Sequence, residues 1–111
     1  MASALASRLE AIEKNGIKGR EVAQLLNTTP ETVSRWKSGR VSPPSDRLQL
    51  LLTLEWLIGE MAKLYSPEEA RLWLFSHHPL LDGARPADRI QAGAIADVLA
   101  LVDQLKSGAY V

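Results

Sequence analysis

Apolar residues recur along this chain every three or four positions, the spacing that lays a stripe along an α-helix. Strict alternation, the mark of a strand, is absent, and so is any internal repeat. Leu5, Leu9 and Ile12 form the first stripe, which ends at Gly16. A second short helix runs from about Arg20 to Leu26 and buries Val22, Ala23 and Leu26. Asn27 and Thr28 make a tight turn. Thr29 then caps a third helix that opens on Pro30, buries Val33 and Trp36, and stops near Gly39. The linker Val41-Ser42-Pro43-Pro44 cannot continue a helix. A long helix follows, capped by Ser45 or Asp46 and reaching about Tyr65. Ser66-Pro67-Glu68-Glu69 is a capping box that opens a helix through Leu74. After a loop, Pro86 restarts the chain as a short helix ending near Gly93. The last helix presents Ile95, Val98, Leu99, Val102 and Leu105 before Gly108 terminates it. The fold class is all-α, with units at residues 1–44 and 45–111.

The long helix is unusual in being apolar nearly all round. Leu48, Leu52 and Trp56 lie on one side and Leu50, Leu54, Leu57 and Met61 on another, with Gln49, Thr53 and Glu60 as a narrow polar strip. Such a helix has to be covered on most sides. In so small a chain one face is expected to meet a second copy, and Leu50, Leu54, Leu57 and Met61 are the residues expected to form that dimer face.

Composition narrows the class. Of 111 residues, 46% are hydrophobic and 23% charged, which fits a folded globular chain and argues against disorder. There is no cysteine, so disulfides and thiolate metal sites are excluded. No basic stretch followed by an apolar core marks a secretory signal at the N-terminus, and Gln49, Thr53, Glu55, Glu60 and Lys63 break the apolar run from Leu48 to Leu64. No membrane association is expected, and the expected location is cytoplasmic. The net charge is zero but unevenly divided: residues 1–47 hold eight Lys or Arg against five acids, and residues 48–111 hold five against eight. A polyanionic partner suits the first half only.

That half contains "REVAQLLNTTPETVSRWKSG", which has the spacing of a helix-turn-helix. Small Ala23 sits where two helices cross closely, and Val22, Leu26, Val33 and Trp36 lock them together. The second helix exposes Glu31, Thr32, Ser34, Arg35 and Lys37. In a DNA-binding version this helix enters the major groove with its first residues at base edges. Arg35 suits a guanine edge, Thr32 and Ser34 suit bases or phosphates, and Lys37, Arg40 and Arg47 suit phosphates. Glu31 works against such contacts. The segment resembles the Xre and phage-repressor helix-turn-helix domains, most of all in "TVSRWKSG".

The second constellation is "WLFSHHPLLDGARPADRI", residues 73–90. Ser76, His77, Asp82 and Asp88 could nominally supply a catalytic triad, but no nucleophile elbow and no sheet exist to hold one. Adjacent histidines also lack the spacing that converges on one metal ion. No catalytic residue, no metal and no cofactor is assigned, and the chain is read as a non-enzyme. A plainer reading has His77-His78-Pro79 ending a helix, Leu80 and Leu81 tucked into the core, Gly83 in a left-handed turn and Pro86 with Asp88 starting a helix.

From Trp73 onward the chain resembles the toxin-binding domain of the Xre–MbcA–ParS antitoxins, nearest the short MbcA-type members. The residues that carry the resemblance are Trp73, Leu74, Pro79, Leu81, Gly83, Arg85, Pro86, Asp88 and Ile90. Downstream come Gly93, Val98, Leu99, Leu105, Gly108 and Ala109-Tyr110-Val111. One departure is His78, where many members carry asparagine before the proline. The resemblance implies a type II antitoxin whose partner is a RES-domain toxin, an enzyme that consumes NAD⁺ or transfers ADP-ribose from it. It further implies a homodimer, a C-terminal tail that blocks the toxin's NAD pocket, and repression of the system's own operator DNA through the helix-turn-helix. The residues it assigns to toxin binding are Arg85, Gly108, Ala109, Tyr110 and Val111, and it makes residues 45–111 a dimerisation and toxin-binding domain. The competing expectation is a stand-alone dimeric helix-turn-helix repressor.

Overall fold

The computed structural model describes residues 4–108. Its helices are α1 (Ala4–Lys14), α2 (Gly19–Leu25), α3 (Pro30–Ser38), α4 (Ser45–Met61), α5 (Pro67–Leu74), α6 (Pro86–Gln91) and α7 (Ile95–Ser107). A 3₁₀ turn covers Pro79–Leu81, and no strand occurs among the described residues. The chain is all-helical, as the periodicity predicts.

Local chemistry accounts for the boundaries. Gly16 follows α1 with φ +108°, and a Cβ there would stand 2.2 Å from the Pro67 carbonyl oxygen. Only glycine permits both the turn and the close approach of α5. Thr29 accepts from the Thr32 backbone N–H at 3.2 Å and Pro30 occupies the first turn of α3, which Gly39 closes at φ +80°. Ser66 and Glu69 exchange the expected capping-box bonds, 3.2 and 2.9 Å long, at the start of α5.

Two boundaries of α4 differ from the sequence reading. Pro44, not Ser45 or Asp46, is the N-cap residue: no side chain caps the helix, and the Pro44 carbonyl accepts from Leu48 at 2.8 Å. The helix ends at Met61, not near Tyr65. Ser66 must be extended (ψ 163°) because Pro67 follows it, so the chain leaves the helix early through short-range bonds from Leu64 and Tyr65 to the Met61 carbonyl.

A single buried cluster runs through both halves of the chain. It joins Leu9 and Ile12 of α1, Val22 and Leu25 of α2, Trp36 of α3, Leu51, Leu54, Leu57, Ile58 and Met61 of α4, and Leu74, Ile90, Val98 and Val102 beyond. This corrects the expected dimer face. Leu54, Leu57 and Met61 are each 0% exposed within one protomer, and Leu50 is half-buried. The face with four apolar positions is the one that fills the chain's own core. The side left uncovered carries Leu48, Leu52 and Trp56.

Ion pairs tie the outer helices to this core. Arg71 of α5 grips Glu21 of α2 with two nitrogens, at 2.6 and 3.2 Å. Burial by itself would raise the Glu21 pKa, but the bonds from Arg71 and from the Lys18 backbone outweigh it and hold the carboxyl below its usual range. Glu60 of α4 takes Lys106 of α7 at 2.7 Å and Lys63 at 3.3 Å. The Lys106 bond is the main reason its pKa is lowered.

Candidate functional site

The helix-turn-helix is α2, a turn and α3. Ala23 is fully buried, with Val22, Leu26, Val33 and Trp36, so the two helices cross at the closeness its small side chain allows. Asn27 makes the turn in the left-handed region at φ +54°. Its amide donates to the Gln91 carbonyl at 2.8 Å, while Gln91 donates to the Gln24 carbonyl at 2.9 Å. These two bonds pin the turn against α6, so the second half of the chain braces the motif.

The residues assigned to DNA separate into two groups. Ser34 and Arg35 are exposed on α3 and Arg40 just beyond it, and among the described residues neither arginine makes an ion pair. Thr32 and Lys37 are already engaged. The Thr32 hydroxyl lies 2.9 Å from that of Thr29. Lys37 reaches back to α1 and meets both carboxylate oxygens of Glu13, at 3.0 and 3.1 Å. Arg47 pairs with Asp46 at 2.9 Å and donates to the Asn27 carbonyl at 3.3 Å. Arg35 and Arg40 are therefore the cations with charge to spare for a phosphate or base edge, and Lys37 is the least available.

The second site is the corner between α5 and α7. His78 precedes the 3₁₀ turn, and its Nδ1 accepts from the Leu80 backbone N–H at 3.3 Å. An asparagine side chain at this position could make the same bond to the backbone two residues on. The Nδ1–H of His77 donates to the Gly83 carbonyl at 2.7 Å and closes the loop from the other end. Asp82 and Gly83 then turn the chain at φ +57° and +82°. Ser76 donates to the Leu72 carbonyl. The groups that could be mistaken for a triad are thus each committed to backbone or to another ion pair, and no cluster suited to a metal exists among the described residues.

Arg85 and Asp88 form a closed unit at the start of α6. The guanidinium contacts Asp88 at 2.7 to 3.1 Å and the Arg85 backbone N–H donates to the same carboxylate at 3.0 Å. The Arg85 side chain, and next its N–H, hold the Asp88 pKa down at about 2. Arg85, expected to contact the toxin, thus carries a guanidinium already paired with Asp88, and the pair shapes the corner. Sequence reasoning passed over its neighbour Arg89. This side chain donates to the Leu81 carbonyl at 2.8 Å and pairs with Asp97 at 3.0 Å and Asp82 at 3.6 Å. It crosses a cleft of about 390 Å³ between the 3₁₀ turn and α7. The hint was present in the sequence, as acids seven residues before and eight after an arginine, but only the fold brings them together. Gly108 ends α7 in the left-handed region at φ +68° and is exposed. Ala109, Tyr110 and Val111 lie outside the described residues.

Fold and sites together define a helix-turn-helix protein with an antitoxin-type C-terminal domain. The helix-turn-helix family model matches residues 9–54, and the model of the antitoxin Xre/MbcA/ParS C-terminal toxin-binding domain matches residues 62–108. The mycobacterial cidal antitoxin MbcA of Mycobacterium tuberculosis is 34% identical over 101 residues, spanning 91% of this chain and 89% of that protein. The MbcA of Mycobacterium bovis matches equally. In the crystal structure of the M. tuberculosis MbcT–MbcA toxin–antitoxin complex, one chain superposes with a TM-score of 0.84, covering 98% of this chain and 99% of that one. The chain belongs to the Xre/MbcA/ParS family of antitoxins.

Proposed function

We propose that this protein is the antitoxin of a type II pair and neutralises a RES-domain, NAD⁺-consuming toxin, and that it represses its own operon through the helix-turn-helix. It acts without catalysis of its own, as a homodimer in the cytoplasm. The observation that carries this reading is the full-length likeness to a chain solved in complex with its toxin. The corner supports it. His77, His78, Arg85 and Arg89 each hold the chain's own groups, and no metal-binding cluster occurs among the described residues. The segment Ala109-Tyr110-Val111, next after exposed Gly108, carries an aromatic ring, a group that a pocket built for a nucleotide can accept. Of the basic residues assigned to operator DNA, Arg35 and Arg40 are the ones with no ion pair among the described residues.

Co-expression with a RES-domain toxin tests the reading. The full chain is expected to restore growth, and the chain lacking Ala109 to Val111 is expected to fail while it keeps its helical spectrum and its DNA binding. Equal rescue by both forms would remove the tail from the mechanism. If neither form rescues growth and both bind operator DNA, the protein is a stand-alone repressor.

A further inference from the structure

His77 and His78 stand side by side at the corner before α6, and their ring nitrogens have opposite duties. The Gly83 carbonyl can only accept, so the His77 Nδ1 that lies 2.7 Å from it carries a proton. The Leu80 backbone N–H can only donate, so the His78 Nδ1 at 3.3 Å offers a lone pair and the proton of that ring sits on Nε2. The two neighbours are therefore opposite tautomers, and acid treats them differently. An added proton goes to Nε2 of His77 and leaves its bond intact. In His78 it goes to Nδ1 and turns the acceptor into a donor that faces a donor.

His78 is also the hub of the turn. Its backbone N–H donates to the Ala84 carbonyl at 3.0 Å, and its carbonyl accepts from Leu81 and Gly83, both at 3.0 Å. The half-buried ring meets the edge of Trp73, with 5.9 Å between centroids. The turn it caps carries Leu80, 42% exposed, and leads to Asp82, and both line the cleft of about 390 Å³ against α7. No carboxylate pairs with His78 among the described residues. From α5 it meets the uncharged Trp73; Asp88 of α6 is held by Arg85, and Asp82 and Asp97 are held by Arg89. Asp88 feels the ring of His77 instead. An imidazolium at position 78 thus gains no partner to offset the bond it loses.

We propose that His78 is a pH-sensitive positioning residue of the corner. Its neutral ring holds the 3₁₀ turn in the shape that fits the toxin, and its protonation loosens that turn and weakens the grip. The bond is intact at pH 8 and is lost as pH falls through the span in which imidazoles charge, down to about pH 5. The effect on the toxin rests on the proposed function, whereas the proton state of His78 belongs to the antitoxin alone.

Nitrogen NMR of the full chain without toxin reads the tautomers. At pH 8 His77 is expected as the Nδ1–H form and His78 as the Nε2–H form, and an Nδ1–H form at His78 would overturn the inference even if no variant folds. Affinity for a RES-domain toxin at pH 8 and pH 5.5 reads the consequence. Between the two, the wild-type chain is expected to lose about 3- to 10-fold more affinity than His78→Asn, whose side chain offers Leu80 an acceptor that takes no proton. His77→Asn should keep the wild-type pH dependence. Because every variant meets the same toxin, the toxin's own titration cancels. Equal pH dependence in the wild type and His78→Asn, or its loss in His77→Asn, would contradict the proposal. A chain that binds no toxin at either pH contradicts the proposed function instead. The thermal midpoint then decides for His78: it should fall further from pH 8 to pH 5.5 in the wild type than in His78→Asn, and an equal fall would overturn the inference.

Discussion

The two halves of this molecule use the same residue type in opposite ways. All five Lys and Arg after residue 47 are held by carboxylates: Lys63 and Lys106 by Glu60, Arg71 by Glu21, Arg85 by Asp88 and Arg89 by Asp97. In the first half Arg35 and Arg40, at and just past the recognition helix, make no ion pair among the described residues. A cation already matched at short range adds little to the field a polyanion meets, whereas an unmatched one steers and binds it. Net charge alone shows a mild imbalance. Pairing sharpens it: the second half matches all its cations with carboxylates, while the first half leaves Arg35 and Arg40 unmatched, as the proposed contact with DNA requires.

The comparison can be broken at several points. The largest effect is expected from Arg35→Ala, with a loss of roughly 1–3 kcal/mol in operator binding, or about 5- to 150-fold, measured by titration at fixed salt. Its thermal midpoint should not move. Arg71→Ala should do the reverse. It leaves Glu21 without its main partner and should lower the denaturant midpoint, with operator binding unchanged. A smaller effect follows from Asp88. Its carboxyl titrates at about 2 in the folded chain against an ordinary 3.8, so its contribution is full above pH 4 and is lost as pH falls toward 2. The acid-induced fall in thermal midpoint should therefore be steeper for the wild type than for Asp88→Asn. The smallest effect is expected from Lys37→Ala. Because Glu13 already neutralises this ammonium, operator affinity should change less than with Arg40→Ala under the same titration.

Much of this was legible in the order of residues, and the exceptions share a cause. Thr29-Pro30, Ser66-Pro67 and Gly16 mark boundaries because their chemistry is local, so those helix ends were predictable closely, whereas the end of α4 at Met61 was placed about four residues late. The dimer face was misread because a helix apolar on all sides does not reveal which side its own chain will cover. Leu54 and Leu57 look no different from Leu48 and Leu52 until α1 and α7 are in place. The binding residues were blurred for the same reason. Lys37 and Arg35 are two positions apart on one helix, and only Glu13, twenty-four residues before Lys37, separates a spent cation from a free one. Arg85, expected to contact a partner, is also held by Asp88 three residues on. The family pattern identified the corner, and the fold reveals what each residue in it is busy with.

The salt dependence of binding to the DNA upstream of the protein's own gene tests the division of charge most directly. The slope of log affinity against log salt counts the phosphates neutralised, at about 0.9 per contact. Replacing both Arg35 and Arg40 by glutamine is predicted to flatten the slope by about two such contacts, while replacing both Lys63 and Arg85 should leave it unchanged. Equal flattening by the two pairs, or none by the first, would contradict the account.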